Sequence, residues 1–270
     1  MVRFVVNPQV IDGWTDALKL VRANRYEGDA FRTFIESARY LLRRRDQLDL
    51  VRAAMPPDKE TSFRRPTTRQ QQQLFDATTD FFNAAYSTLS AEAGIVRRFA
   101  GVYPNAPVGT NRALIEWIWS DVCHRRESHA GFVAEAERAR RFRAFLAHPQ
   151  DAPPYNWGTA CYPGYELVHV ILYGDLGRGR NPIPLGARKD HILAPVLGGW
   201  QFAAPDEVSV TNSVLSLGME LMIPILERRS ATAFTRGRSR SEIEELLMPR
   251  EVDVFLRSRA VLSRFDIDDD

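Results

Sequence analysis

Apolar residues recur at steps of three and four along most of this chain, a spacing that predicts helices packed through one face. A first helical block is expected from about Pro8 to Ala54, with a break at Arg25–Gly28 and a stripe of Phe31, Phe34, Ile35, Ala38, Leu41 and Leu42. Residues 55–67 are polar and carry three prolines, which predicts a loop and an internal boundary. Thr68, with Gln71 three positions on, reads as a capping box opening a helix through Leu74, Phe81, Phe82, Ala85 and Leu89 to about Phe99. Thr110 or Asn111 can cap the next helix, which sets Leu114, Trp117, Ile118 and Val122 on one face and has a weak point at His129–Gly131. Phe132, Ala136, Ala139, Phe142 and Leu146 continue the pattern, and Pro149 predicts its end at His148.

Downstream the pattern is less regular. Residues 149–164 are rich in proline and aromatics and are expected to pack over the end of a bundle. The apolar run Leu167–Leu172 is read as helix from its setting, residues 174–199 as a long loop, and Asn212–Glu227 as a helix interrupted near Pro224. After a basic connection at 230–239, Ser241–Glu244 has the form of a capping box for a short helix, and Asp266–Asp270 should fray. The expectation is an all-α protein with an N-terminal helical block (1–58), a main bundle (66–229) and a C-terminal helical appendage (240–270).

Composition changes little in this picture. The 270 residues are 44% hydrophobic, an ordinary globular value, and a net charge of +2 confines any nucleic-acid contact to a local basic face. Only Lys19, Lys59 and Lys189 are lysines among 36 basic residues, a bias that fits GC-rich coding better than a function. Cys123 and Cys161 are the only cysteines, which argues against a disulfide framework and, with no signal core or membrane-length run, predicts a cytoplasmic protein off the membrane.

The strongest chemical lead is Arg141-Phe142-Arg143-Ala144-Phe145-Leu146-Ala147-His148, where the helix break lets an imidazole fold back toward Arg143. This stretch and its helical approach resemble the Arg-x4-6-His signature of the HEPN superfamily, with the helix pattern covering about residues 70 to 228. The resemblance implies a HEPN-like antiparallel helical bundle acting as a metal-independent endoribonuclease of toxin or antiphage-defence type. RNA carries its own nucleophile in the 2′-hydroxyl, so such a site needs proton transfer, here from His148, and phosphate stabilisation, here from Arg143. It also implies a homodimer through the motif helix, no cofactor, and a possible antitoxin or regulatory protein as partner. Arg141 is a second arginine within range of the same histidine, and Arg178 and Arg180, in a glycine-rich segment, are further candidates for phosphate. Active members commonly carry Asn, Asp or His after the arginine, where this chain has Ala144. That favours the alternative, a non-catalytic bundle binding RNA, nucleotide or a protein partner, with Arg143 and His148 as helix-end caps.

Other constellations carry less. Cys123, His124 and His129 suggest a metal, but a continuous helix would separate the histidines and no further ligand is evident, so no metal is assigned. Gly174–Asn181 lacks the Gly-Lys-Ser/Thr ending of a P-loop, and Glu166-x-x-His169 is only one half of a bundle di-metal motif.

Overall fold

The computed structural model describes residues 6–19, 21–55, 67–107, 109–147, 156–161, 168–174 and 200–229, with Ile243 and Leu247. Among these the chain is mostly helical: α1 (Pro8–Lys19), α2 (Arg25–Ala53), α3 (Thr68–Arg98), α4 (Asn111–Trp117) with a π-helical turn (Ile118–Val122), α5 (Glu127–Ala147) and α6 (Glu207–Arg229). Three strands, β1 (Asn156–Cys161), β2 (Val168–Gly174) and β3 (Trp200–Ala203), lie between α5 and α6. The expected all-α class holds at the level of a helical bundle with a small sheet.

Side-chain caps decide where the helices start, because the first turn leaves backbone N–H groups without partners. Asn7 accepts from Val10 N at 3.0 Å ahead of Pro8, and Asp206 accepts from Ser209 N at 2.7 Å ahead of α6. Asn24 and Glu27 form a reciprocal box at 3.0 and 2.7 Å, so α2 begins at Arg25, inside the segment read as a break. The box at α3 is Thr67–Gln70, at 2.9 and 3.2 Å, one residue before the expected Thr68–Gln71. Thr110 caps α4 through Ala113 N at 3.2 Å.

The chain forms two compact units, Met1–Arg39 with Thr88–Val133 and Thr211–Asp270, and Tyr40–Ser87 with Ala134–Val210. In the first, Phe31 stacks on Phe99 at 4.8 Å while the Ser37 carbonyl accepts from Thr88, so α2 and α3 run antiparallel. Glu27 meets Arg229 and Phe34 meets Gly218, which makes α6 antiparallel to α2 as well. Trp14 of α1 stacks on Phe34 at 6.0 Å, and its Nε1 donates to the carbonyl of the buried Leu247.

Gly218 explains how α2 and α6 come so close. A Cβ there would sit 2.4 and 2.7 Å from the Phe34 ring and 3.1 Å from Oε1 of the buried Glu92. Gly218→Ala is therefore expected to destabilise the protein by about 1–3 kcal/mol despite alanine's better helix propensity, read as a lower midpoint in urea unfolding. An unchanged or raised midpoint would mean that the Phe34 ring moves aside freely.

The second unit has an aromatic core in which Phe142 meets Phe82 at 4.7 Å and Phe202 at 5.1 Å. Its sheet is antiparallel in the order β1-β2-β3, with Cys161 opposite Val168 and Ile171 opposite Ala203. Val168–Leu172, the described part of the run Leu167–Leu172, is thus strand rather than the expected helix; Leu167 lies outside the described residues. Its β-branched Val168, Val170 and Ile171 suit a pleated surface, and Val168, Val170 and Leu172 alternate into the core. Part of the proline-rich stretch likewise forms β1, and the chain after the long connection supplies β3.

Helix α6 runs unbroken through Pro224, without the interruption expected there. Proline cannot donate to the carbonyl of Glu220, and the neighbouring Leu221 carbonyl accepts from the buried Tyr103 hydroxyl. By length and composition the helix could cross a membrane, contrary to the expectation of no membrane-length run. With 83% of that window buried inside the protein, it serves as a core helix.

Candidate functional site

The motif helix α5 turns one stripe inward, burying Ala136, Ala139, Phe142 and Phe145. Its arginines fall outside that stripe, and most are tied to carboxylates one turn back. Arg138 meets Glu135 at 3.5 Å, while Arg140 and Arg141 both bond Glu137, at 2.6 and 2.8 Å. Burial alone would raise the Glu137 carboxyl, but hydrogen bonds and charge from Arg140 and Arg141 hold it below the usual range. Arg141, the second candidate for phosphate, is therefore already committed to an acidic partner.

Arg143 is held differently. Its Nε donates to Oδ1 of Asn83 at 3.2 Å, and its guanidinium carbon lies 4.4 Å from the centre of the Tyr86 ring. Asn83 and Tyr86 are three residues apart on α3, so they share one helix face beside Phe82, which packs on Phe142. No carboxylate among the described residues pairs with Arg143, so its charge is held in place without being neutralised. The other predicted members, His148, Arg178 and Arg180, lie outside the described residues, as does Glu166.

The same unit holds a buried charged cluster that no spacing in the sequence marks. Arg52, at the end of α2, forms a buried ion pair with Glu207 in the first turn of α6. Nε and Nη2 of Arg52 are buried without a hydrogen-bond partner. Burial pushes Glu207 up to about 7 against the pull of Arg52, with Asp49 and Asp206 adding to the rise. His169 sits on β2 rather than on a helix, which removes the bundle di-metal reading. Burial, assisted by Arg52 and Arg138 and opposed by Asp206, pushes it down to about 4. A cavity of about 550 Å³ between α2 and α3 is lined by Arg44, Gln47, Gln70, Gln73, Asp76 and Asp80, whose aspartates make it a poor seat for phosphate.

In the first unit the break between helices falls at Cys123–Arg126, ahead of the weak point expected at His129–Gly131. It brings Cys123 and His129 together with Glu220 of α6, all three buried. His124, the third residue of the sequence-level metal reading, is exposed and takes no part. Glu220 could not be found from spacing because it lies far along the chain.

No family model, curated protein or solved structure matches the chain.

Proposed function

We propose that the protein is a metal-independent endoribonuclease of HEPN type, acting in the cytoplasm as a homodimer in a toxin or antiphage-defence setting. The supporting observation is the treatment of arginines along α5: Arg138, Arg140 and Arg141 are paired with glutamates, whereas Arg143 is fixed by an amide oxygen and an aromatic ring. Such a guanidinium is preorganised and keeps its charge for a phosphate.

In the reaction, His148 removes the proton from a 2′-hydroxyl, whose oxygen attacks the adjacent phosphorus. The P–O5′ bond breaks, leaving a 2′,3′-cyclic phosphate, and the departing 5′-oxygen takes a proton from an imidazolium. Arg143 stabilises the charge on the non-bridging oxygens. Two protomers facing through their motif ends supply one imidazole for each proton transfer.

A second reading, a non-catalytic bundle that binds RNA, nucleotide or a protein partner, is favoured by one residue. Ala144 offers no polar group beside Arg143. Incubating the purified protein with a mixed RNA pool in EDTA separates the two. Fragments ending in 2′,3′-cyclic phosphate, from a species of twice the chain mass by light scattering, are expected of the nuclease. Intact RNA from folded protein would move the assignment to the binding module.

A further inference from the structure

The first unit contains a constellation that the nuclease reading leaves unused. Sγ of Cys123, a ring nitrogen of His129 and a carboxylate oxygen of Glu220 lie within 4.8 Å of one another, and all three residues are buried. We propose that these side chains bind a divalent transition-metal ion, zinc by preference, that ties the start of α5 to α6.

Local backbone geometry produces the convergence. After α4 the chain widens into a π-turn, so that Cys123 N reaches the Ile118 carbonyl at 2.8 Å and Arg125 N reaches the Trp119 carbonyl at 2.9 Å. His124 and Arg125 then adopt left-handed conformations with φ of 51° and 53°. Such a conformation costs a non-glycine residue about 1–2 kcal/mol. The reversal starts α5 at Glu127 and places His129 in its first turn, beside Cys123 instead of one and two-thirds turns away from it.

The orientation of the imidazole suits a ligand. Nδ1 of His129 lies 2.9 Å from the Ser128 hydroxyl, while Nε2 lies 3.0 Å from Oε1 of Glu220. When Ser128 accepts from Nδ1–H, Nε2 presents a lone pair toward a carboxylate, and only a cation or a proton between them makes that arrangement favourable. Tetrahedral zinc with nitrogen, oxygen and sulfur bonds of about 2.0–2.3 Å sets its ligand atoms about 3.3–3.7 Å apart, a spacing within small movements of this one.

Charge favours the metal over the proton. A thiolate, a carboxylate and a neutral imidazole around a doubly positive ion sum to zero, which is the state a buried site tolerates best. The donor set of sulfur, nitrogen and oxygen excludes magnesium and calcium, which take oxygen ligands, and fits zinc or cobalt. One water or the second Glu220 oxygen completes four-coordination. The ion ties the start of α5 to the middle of α6 and needs no access to RNA, so the proposal stands whether or not the chain is a nuclease.

The test uses the full chain without a histidine tag. Titrating metal-free protein with Co²⁺ is expected to give thiolate charge-transfer absorption and intense visible bands at about one equivalent, both displaced by Zn²⁺. Zn²⁺ should also raise the thermal midpoint by several degrees. Cys123→Ser should lose the charge-transfer band and weaken binding about 100-fold, Glu220→Gln should weaken it comparably, and Cys161→Ser should change neither. Absence of tight Co²⁺ binding to the wild type would overturn the site even if both ligand variants failed to fold. A thiolate band that survives in Cys123→Ser would overturn it as well.

Discussion

On the proposed nuclease reading, Arg143→Ala is expected to lower RNA cleavage by about 10²–10³-fold, the scale of losing one preorganised donor to a developing oxyanion, while Arg141→Ala should leave the rate within a few-fold. The contrast follows from their partners, since Arg141 is bound to Glu137 at 2.8 Å whereas Arg143 rests on Asn83 and Tyr86. Arg143→Lys restores little, because an ammonium has neither the planar fork that matches two phosphate oxygens nor the flat face that lies on Tyr86. His148→Ala is expected to cost about 10²–10⁴-fold, the usual value of general acid–base catalysis. The double variant is no slower than the worse single one, because an arginine without its proton donor stabilises a transition state that is not reached.

Asn83→Ala and Tyr86→Leu test positioning apart from chemistry. Neither side chain need touch RNA, so each should lower kcat while leaving RNA affinity and the pH profile close to wild type. An Arg143–Tyr86 contact at the surface is worth only about 0.5–1 kcal/mol, so thermal midpoints of these variants stay near the parent and a fall in rate cannot be put down to unfolding. Equal cleavage by wild type, Arg143→Ala and His148→Ala would remove the motif from the chemistry altogether.

Long helices were readable in the sequence because a period of 3.6 sustained over 29 to 31 residues, as in α2 and α3, leaves no competing interpretation. The sheet was not, since strands of 6, 7 and 4 residues are too short to reveal a period and β3 meets its partner β2 only across residues 175–199. The break after Val122 carries no sequence mark for another reason. It is made by a π-turn and two left-handed residues, His124 and Arg125, with neither glycine nor proline to mark it. The same limit applies to function. Arg143 stood out through its neighbours in sequence, but Asn83 and Tyr86, which hold it, are some 60 residues away on another helix. Cys123 and His129 stand out in the sequence only together with His124, which takes no part, whereas Glu220 sits amid an apolar helix where nothing singles it out.

Arg52→Met should be the most destabilising single change in the second unit, by about 3–5 kcal/mol at pH 8, because it leaves the buried Glu207 carboxylate with no cation. The loss is smaller at pH 5. Burial raises Glu207 from 4.5 to about 7, so the folded protein binds a proton there that the unfolded chain has released, and this group's contribution to stability falls as pH rises through that window. Protonated at pH 5, the carboxyl no longer needs Arg52. His169 acts in the opposite sense: lowered from 6.5 to about 4, it stays neutral in the fold while the unfolded chain takes up a proton, so its contribution is lost as pH falls. Between about pH 4.5 and 6.5 the slopes contributed by these two groups oppose. Glu207→Gln should uncover the loss on acidification, and His169→Gln the gain. Pairing Arg52→Met with Glu207→Leu should recover most of the stability, since two apolar side chains leave neither an unpaired charge nor the unpartnered Nε and Nη2 of Arg52. Urea unfolding of the four variants at pH 5 and 8 measures all of this. An Arg52→Met penalty equal at the two pH values would show that Glu207 stays ionised throughout and that the ion pair, rather than burial, sets its charge.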